Sequence, residues 1–447
     1  MNYNLTFIKK LFAFILIIFV FIGAFLFYQK DFQYWSLYYY STVFITIIYL
    51  YKNIPFCYFF SFLFIIFQLI GITFSVIPFL YFDLELEGLN KALFLHSLSL
   101  CFTVAINILF FSKYRVKLTV KNSLFDTPAW SKFILINKRI FYFTLPFVFL
   151  AMYFSNGWKS FFGIEGYDRV ASMKGMGFLM IFSVINVGSA IFLVLNNFYK
   201  KNYLNILFPL FSILVINGFT QGRNNLIWLI FTAFFVLGVF NKINKKTIIY
   251  FFFLGLLIVF YKIMRYNPNE NQFSLLLTFF LNFTGDFDVV IRTTNLLNYI
   301  EKNDFFGLYH IWSQLLVYLP RTIFPDKPQI LGNLYLNALV FPGVYTGGIG
   351  STGFTFGVIS VLYSITGISF ALLLLFLSCF VFIKFDNYIY KEIVNKRLSI
   401  FFVIYFFLLQ NVIIYYREWS TGITNILLYS FIYIFFYTIF KFNWTKG

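Results

Sequence analysis

Residues 319–328 read LPRTIFPDKP, the densest turn signal in the chain, with three prolines around Arg321, Asp326 and Lys327. They stand inside a polar interval, about 265–353, which is the longest stretch without a convincing spanning helix. The same interval holds Asp286, Asp288, Arg292 and His310. Its reading decides the fold, because apolar runs crowd both flanks. About nine candidate spans precede it and about three follow, which predicts an all-α polytopic integral membrane protein of roughly twelve transmembrane helices. We divide the chain into a membrane bundle over 1–264, a large outer loop with amphipathic segments over 265–353, and further membrane helices over 354–447. The loop is expected to fold over a membrane-embedded site.

Composition agrees with that class. The 447 residues are 61% hydrophobic and 11% charged, with a mean hydropathy of +0.82. A water-soluble globular domain does not have that balance. The first apolar run, 11–28, follows Lys9 and Lys10 without a small-residue cleavage site, and reads as a retained span. The formal charge of +18 is carried mostly by lysines between spans, where orientation signals belong. No basic domain is present to grip a duplex, so no nucleic-acid partner is expected. Cys57, Cys101 and Cys379 fall in apolar runs and make neither a disulfide framework nor a metal spacing. No metal or other cofactor is expected.

The positive-inside rule orders the spans. Runs at 11–28, 34–50, 54–80 and 92–112 bring the chain to a basic loop at 113–139, which we place in the cytoplasm together with the N-terminus. Runs at 140–156, 176–197, 203–219, 226–241 and 247–264 lead to the polar interval. The stretch 354–383 is too long for one upright helix at about 1.5 Å per residue. It either tilts or breaks near Gly353, Gly357 or Gly367. Runs at 399–416 and 423–440 complete the set and return the C-terminus to the cytoplasm.

One asymmetry runs against that rule. Arg169, Arg223, Arg265, Arg292, Arg321 and Arg417 fall on the outer side, and Arg115, Arg139 and Arg397 on the inner. Arginine grips phosphate or carboxylate through a planar fork, so the excess points to an anionic ligand reached from outside.

Arg223 lies in TQGRNN, 220–225, a turn so tight that the charge sits at the edge of the bilayer. A snorkelling helix-end arginine is the bland alternative. Arg321 sits in the proline-stiffened loop beside Lys327, a good anchor for phosphate or an ordinary surface turn. Arg417 and Glu418 share the turn YREWSTG, 416–422, where they either bind ligand or pair with one another. Asp286 and Asp288 in FTGDFDVVIRTT, 283–294, make a weak metal signal, and Asp288 is placed to pair with Arg292 on a helix. His310 opens an amphipathic stretch and is either a base or an interfacial packing residue. His96 lies within a span and reads as a hydrogen bonder between helices. Asp83, Glu85 and Glu87 read as a solvated acidic loop.

LPRTIFPDKP, then GNLYLNAL at 332–339, then GSTGFTFGVISVLYSITG at 350–367 resemble the late outer loop and following span of bacterial O-antigen polymerases, the Wzy family of oligosaccharide repeat-unit polymerases. Arg321, Pro325, Lys327 and Pro328 match the first part of that pattern. Gly353, Phe356, Gly357 and Gly367 match the second less closely. Gly222 and Arg223 match a turn that relatives carry before a span. Tyr416 and Arg417 match the last outer turn, where Glu418 and Trp419 depart from the family's small-plus-acid pair.

The resemblance implies a glycosyltransferase in the bacterial inner membrane, acting in lipopolysaccharide biosynthesis. It would transfer the growing glycan from undecaprenyl diphosphate to a lipid-linked repeat unit on the periplasmic face. Membrane lipid surrounds such a protein, and a chain-length regulator is an expected partner. The implied diphosphate site draws on Arg223, Arg321, Lys327, Arg417, Arg292 and Arg265. Arg223, Arg321 and Arg417 would act in catalysis, and the base is left open among His310, Glu418, Asp286 and Asp288. An O-antigen ligase or another polyprenyl-linked glycosyltransferase is the nearest alternative. A polysaccharide flippase is the alternative outside the enzymes.

Overall fold

The computed structural model describes residues 2–82, 88–111, 126–161, 177–220, 224–239, 246, 249, 289–307, 333–341, 356–395, 397–417 and 419–442. The described residues are helical with short connections. They divide into two compact units, neither continuous in sequence. One comprises Met1–Lys113, Ile243–Asn387 and Val412–Ile423, and the other Tyr114–Lys242, Tyr388–Asn411 and Thr424–Gly447.

The first unit is built on α1 (Asn2–Tyr28), α2 (Trp35–Lys52), α3 (Phe60–Phe82) and α4 (Leu89–Phe110). Its later segments are α10 (Val289–Lys302), α11 (Asn333–Val340), α12 (Val358–Thr366), the first part of α13 (Ile368–Val394), and α15 (Val412–Arg417). α4 is the hub, and α1, α2, α3, α10 and α12 all pack on it. Its residues are buried almost all round from Leu89 to Asn107, as expected of a helix that is apolar on every side.

α1 buries one stripe only, Ala13, Leu16, Val20, Ala24 and Phe27. Its other face exposes Phe7, Leu11, Phe14, Ile18, Phe21 and Phe25. So large an apolar face is unstable in water and natural against lipid tails. A Cβ at Gly23 would collide with Leu98 and Tyr38, so this glycine lets α1 lie close to α2 and α4.

Polar pairs fix the register of these helices. Gln68 on α3 donates to the Thr103 hydroxyl of α4 (3.2 Å) and accepts from Ser99 (2.9 Å). Tyr49 of α2 donates to Asn107 (2.8 Å). The buried Asp386 carboxylate accepts the Ser61 amide at the first turn of α3 (3.0 Å), which satisfies an amide that the helix leaves unpaired.

The second unit contains α5 (Pro128–Phe154), α6 (Gly157–Phe161), α7 (Gly177–Tyr199), α8 (Leu204–Thr220), α9 (Asn224–Val239) and α14 (Ile400–Gln410). It also takes the greater part of α16 (Trp419–Phe442). Asn186 of α7 donates to the Phe141 carbonyl and the Thr144 hydroxyl of α5, both at 3.0 Å, and accepts from Ser212 of α8 at 2.7 Å. Trp228 of α9 donates its indole N–H to the Phe406 carbonyl of α14 (2.9 Å). Gly188 leaves room for that indole, since a Cβ there would lie 2.7 Å from it.

Among the described residues, five helices are long and apolar enough to cross a membrane, including Phe7–Tyr28, Leu89–Phe110 and Ile368–Val394, and shorter apolar helices accompany them. The chain is therefore an all-α protein with the helices of a polytopic membrane protein. Apart from Ile249, the run 247–264 lies outside the described residues.

Several boundaries differ from the sequence reading. The loop placed at 113–139 ends early, because α5 begins at Pro128 with Thr127 accepting the Trp130 amide (3.2 Å). Lys132, Lys138 and Arg139 are helical, and the buried side of those turns is Trp130, Phe133, Ile136, Asn137 and Ile140. The long run at 354–383, which the sequence leaves free to tilt or to break, is broken. α12 and α13 meet at Gly367, whose φ of 98° is open to glycine and strained for other residues. The run at 399–416 is broken as well, at Asn411, whose side chain donates back to the Phe407 carbonyl (2.8 Å). The turn drawn at 416–422 shrinks, because α15 ends at Arg417 and α16 starts at Trp419.

Candidate functional site

The polar interval contributes α10, and α10 is docked onto the hub of the first unit. Its buried residues are Val289, Val290, Thr293, Thr294, Leu296, Leu297 and Ile300, one face of a helix at spacings of three and four. Leu296 and Ile300 join a cluster with Leu336 of α11, Phe356, and Val361 of α12.

A closed polar node lies under this face. The Thr293 hydroxyl is 2.9 Å from His96 Nε2 on α4 and 2.6 Å from the Ser360 hydroxyl on α12. Ser360 is itself 3.1 Å from His96 Nε2. The Thr293 oxygen also lies 2.7 Å from the Val289 carbonyl and 2.9 Å from the Phe356 carbonyl.

Thr293 owns one proton, which must go to a carbonyl because carbonyls only accept. With that proton given to one carbonyl, the Thr293 lone pairs accept from Ser360 and from His96 in its Nε2–H tautomer, and the other carbonyl receives no proton from Thr293. Gly357 permits the approach of α12, since its φ is 81° and a Cβ there would sit 3.0 Å from His96 Cε1. The Ser–His distance is that of a nucleophile and its base, but no carboxylate orients the imidazole among these contacts. All three side chains are buried. The node is a structural clamp. His96 is a hydrogen bonder between helices, as its position in an apolar run suggested.

Beyond the node, Lys91 at the start of α4 pairs with Glu301 near the end of α10, with Nζ to oxygen distances of 2.7 and 2.9 Å. Phe306 and Gly307 then donate their amides to the Ser364 and Ile365 carbonyls (2.9 and 3.0 Å). These bonds satisfy the last turn of α12 just before the break.

Of the residues proposed to hold diphosphate, Arg292 has a described side chain. It lies half-buried on α10, with its guanidinium 5.9 Å from the Phe341 ring centre. Arg417 closes α15, which packs on α3 and α12. The buried Tyr415 and Tyr416 precede it, but its own side chain is outside the described residues. Arg223 falls between Thr220 of α8 and Asn224 of α9 and is also outside them. Arg265, Asp286, Asp288, His310, Arg321, Asp326, Lys327 and Glu418 lie outside the described residues, as do Asp83, Glu85 and Glu87.

The sequence reading missed Thr293 and Ser360. The available signal was the amphipathic spacing of 289–300, together with glycines at 357 and 367 that bracket Ser360. No family model, curated protein or solved structure matches the chain.

Proposed function

We propose that this protein is an oligosaccharide repeat-unit polymerase of the O-antigen type, a glycosyltransferase of the bacterial inner membrane using an undecaprenyl-diphosphate-linked donor. One observation carries the reading. The polar interval holding the LPRTIFPDKP motif sends α10 into the bundle, where Thr293 ties it to His96 and Ser360. In this reading the interval, anchored through α10, supplies basic side chains to a lipid headgroup. The resemblance of 319–328 and 350–367 to the family, and the outer-side arginine excess, supply the chemistry.

In that chemistry a base takes the proton from an acceptor hydroxyl as its oxygen attacks the anomeric carbon of the donor glycan. The bond from that carbon to the diphosphate oxygen breaks, and its electron pair leaves on undecaprenyl diphosphate. Arg223, Arg321 and Arg417 stabilise the growing negative charge, with Lys327, Arg292 and Arg265 around them. His310, Asp286, Asp288 and Glu418 are the candidate bases. With the twelve spans and cytoplasmic termini expected from the charged flanks, this reading has an outer-face site, where lipid-linked units are presented.

The test is a strain lacking the gene. Polymerase loss leaves lipopolysaccharide capped with one repeat unit in place of a ladder on silver-stained gels. Core alone would move the assignment to the ligase, and an unchanged ladder would refute both.

A further inference from the structure

A cavity of about 280 Å³ opens in the first unit beside the α12–α13 break. Its volume is near the lower end of small-molecule pockets, roughly 300–1,000 Å³. Its lining combines aromatic and aliphatic side chains, Leu297 and Ile368 among the latter, with polar and charged groups. The aromatic side is made by Phe27, Phe32, Phe305 and Tyr363. These rings brace one another edge to face, with Phe27–Tyr363 centres 5.5 Å apart and Phe305–Tyr363 centres 5.6 Å apart. The polar side is the Lys91–Glu301 pair, with Thr366 and Ser369 at the break. Lys30 adds a cation.

The pair remains open to solvent, with Lys91 22% and Glu301 37% exposed. An ammonium and a carboxylate side by side offer both donors and acceptors. A pyranose needs that combination, because each hydroxyl gives one hydrogen bond and can accept others, while its C–H faces favour aromatic rings. A purely anionic ligand does not account for Glu301, and an acyl chain does not account for Lys30, Lys91 and Glu301 together.

We infer that this cavity is a binding subsite for a single pyranose ring, neutral or carrying one acidic group, with Glu301 and Lys91 on its hydroxyls and the aromatic wall against its C–H face. None of these residues belongs to the proposed diphosphate site. The inference does not require polymerase chemistry, since a glycan transporter would need such a site as well.

The experiment uses the full chain in lipid nanodiscs and saturation-transfer-difference NMR. The probes are methyl glucoside, methyl galactoside, N-acetylglucosamine and glucuronate at millimolar concentration, with inorganic phosphate as competitor. At least one sugar should receive saturation at its ring protons. Ser369→Trp, which fills the cavity from an exposed position, should abolish the signal. Glu301→Gln should weaken binding about tenfold, with the fold checked by circular dichroism. Saturation of none of the sugars, or a signal unchanged in Ser369→Trp, would overturn the inference. So would full displacement of a neutral sugar by phosphate, which would mark an anion site. Because no polymer is formed in this assay, its failure would leave the polymerase reading standing, and polymerase failure would leave sugar binding intact.

Discussion

Thr293 and Ser360 are 67 residues apart in sequence and share a 2.6 Å hydroxyl contact at the point where α10 meets α12. That contact, with His96 beneath it, fastens the polar interval to the helices around it. Thr293→Val keeps the shape and removes the hydroxyl, leaving His96 and Ser360 with only one another at 3.1 Å and taking away the donor to the Val289 and Phe356 carbonyls. The expected loss is about 2 kcal/mol, read as a lower thermal midpoint in detergent. Amides of 289–302 should also exchange faster with deuterium. An unchanged exchange pattern would show that the apolar face of α10 holds it without the node.

A second prediction concerns Gly71 and Tyr416. A Cβ on Gly71 of α3 would collide with the Tyr416 ring, one residue before Arg417. Gly71→Ala should therefore cost about 1–3 kcal/mol through overpacking. The double variant Gly71→Ala with Tyr416→Phe should be more stable than the sum of the single changes, because removing the phenol oxygen relieves the worst overlap. Simple additivity in thermal melts would contradict the packing described.

How much of this was legible in the sequence depends on the range of the force involved. Hydropathy places α1, α4, α7 and the core of α13 well, because every residue of such a helix faces either lipid or a packed apolar neighbour. Gly367 announces its break through the residue type. Asn411 does not, since asparagine is common inside helices and its back-bond to Phe407 appears only in three dimensions. Lys132, Lys138 and Arg139 read as loop because their charges outweigh the Thr127–Pro128 start signal. For the site, His96 was legible as a polar residue needing a partner, but Thr293 is 197 positions away and local pattern carries no such pairing. The placement of Arg223 and Arg321 is outside the described residues.

Topology gives a third prediction. Cys57, Cys101 and Cys379 are buried and free, so single introduced cysteines report cleanly. Exposed Asn303, changed to cysteine, should react with an impermeant maleimide added to spheroplasts, and exposed Lys391 should not. Labelling at Lys391→Cys with protection at Asn303→Cys would invert the assigned orientation and remove the outer-face site.

The arginines give the fourth. Arg223→Ala or Arg321→Ala should each lower polymer formation roughly a hundredfold, the equivalent of about 3 kcal/mol in transition-state stabilisation. Lysine should rescue poorly because it lacks the bidentate fork. Arg169→Lys serves as the outer-side control and should retain activity. Near-normal rates for both alanine variants, at equal levels of inserted protein, would end the clamp.

The most direct measurement is reconstitution of the purified protein in liposomes with lipid-linked repeat units supplied intact on its outer side. Products are separated by length and undecaprenyl diphosphate is quantified. The account predicts a ladder rising in whole repeat units, with one undecaprenyl diphosphate released for each linkage formed. Units that stay single in the presence of folded, inserted protein, or that merely cross the bilayer, would contradict it.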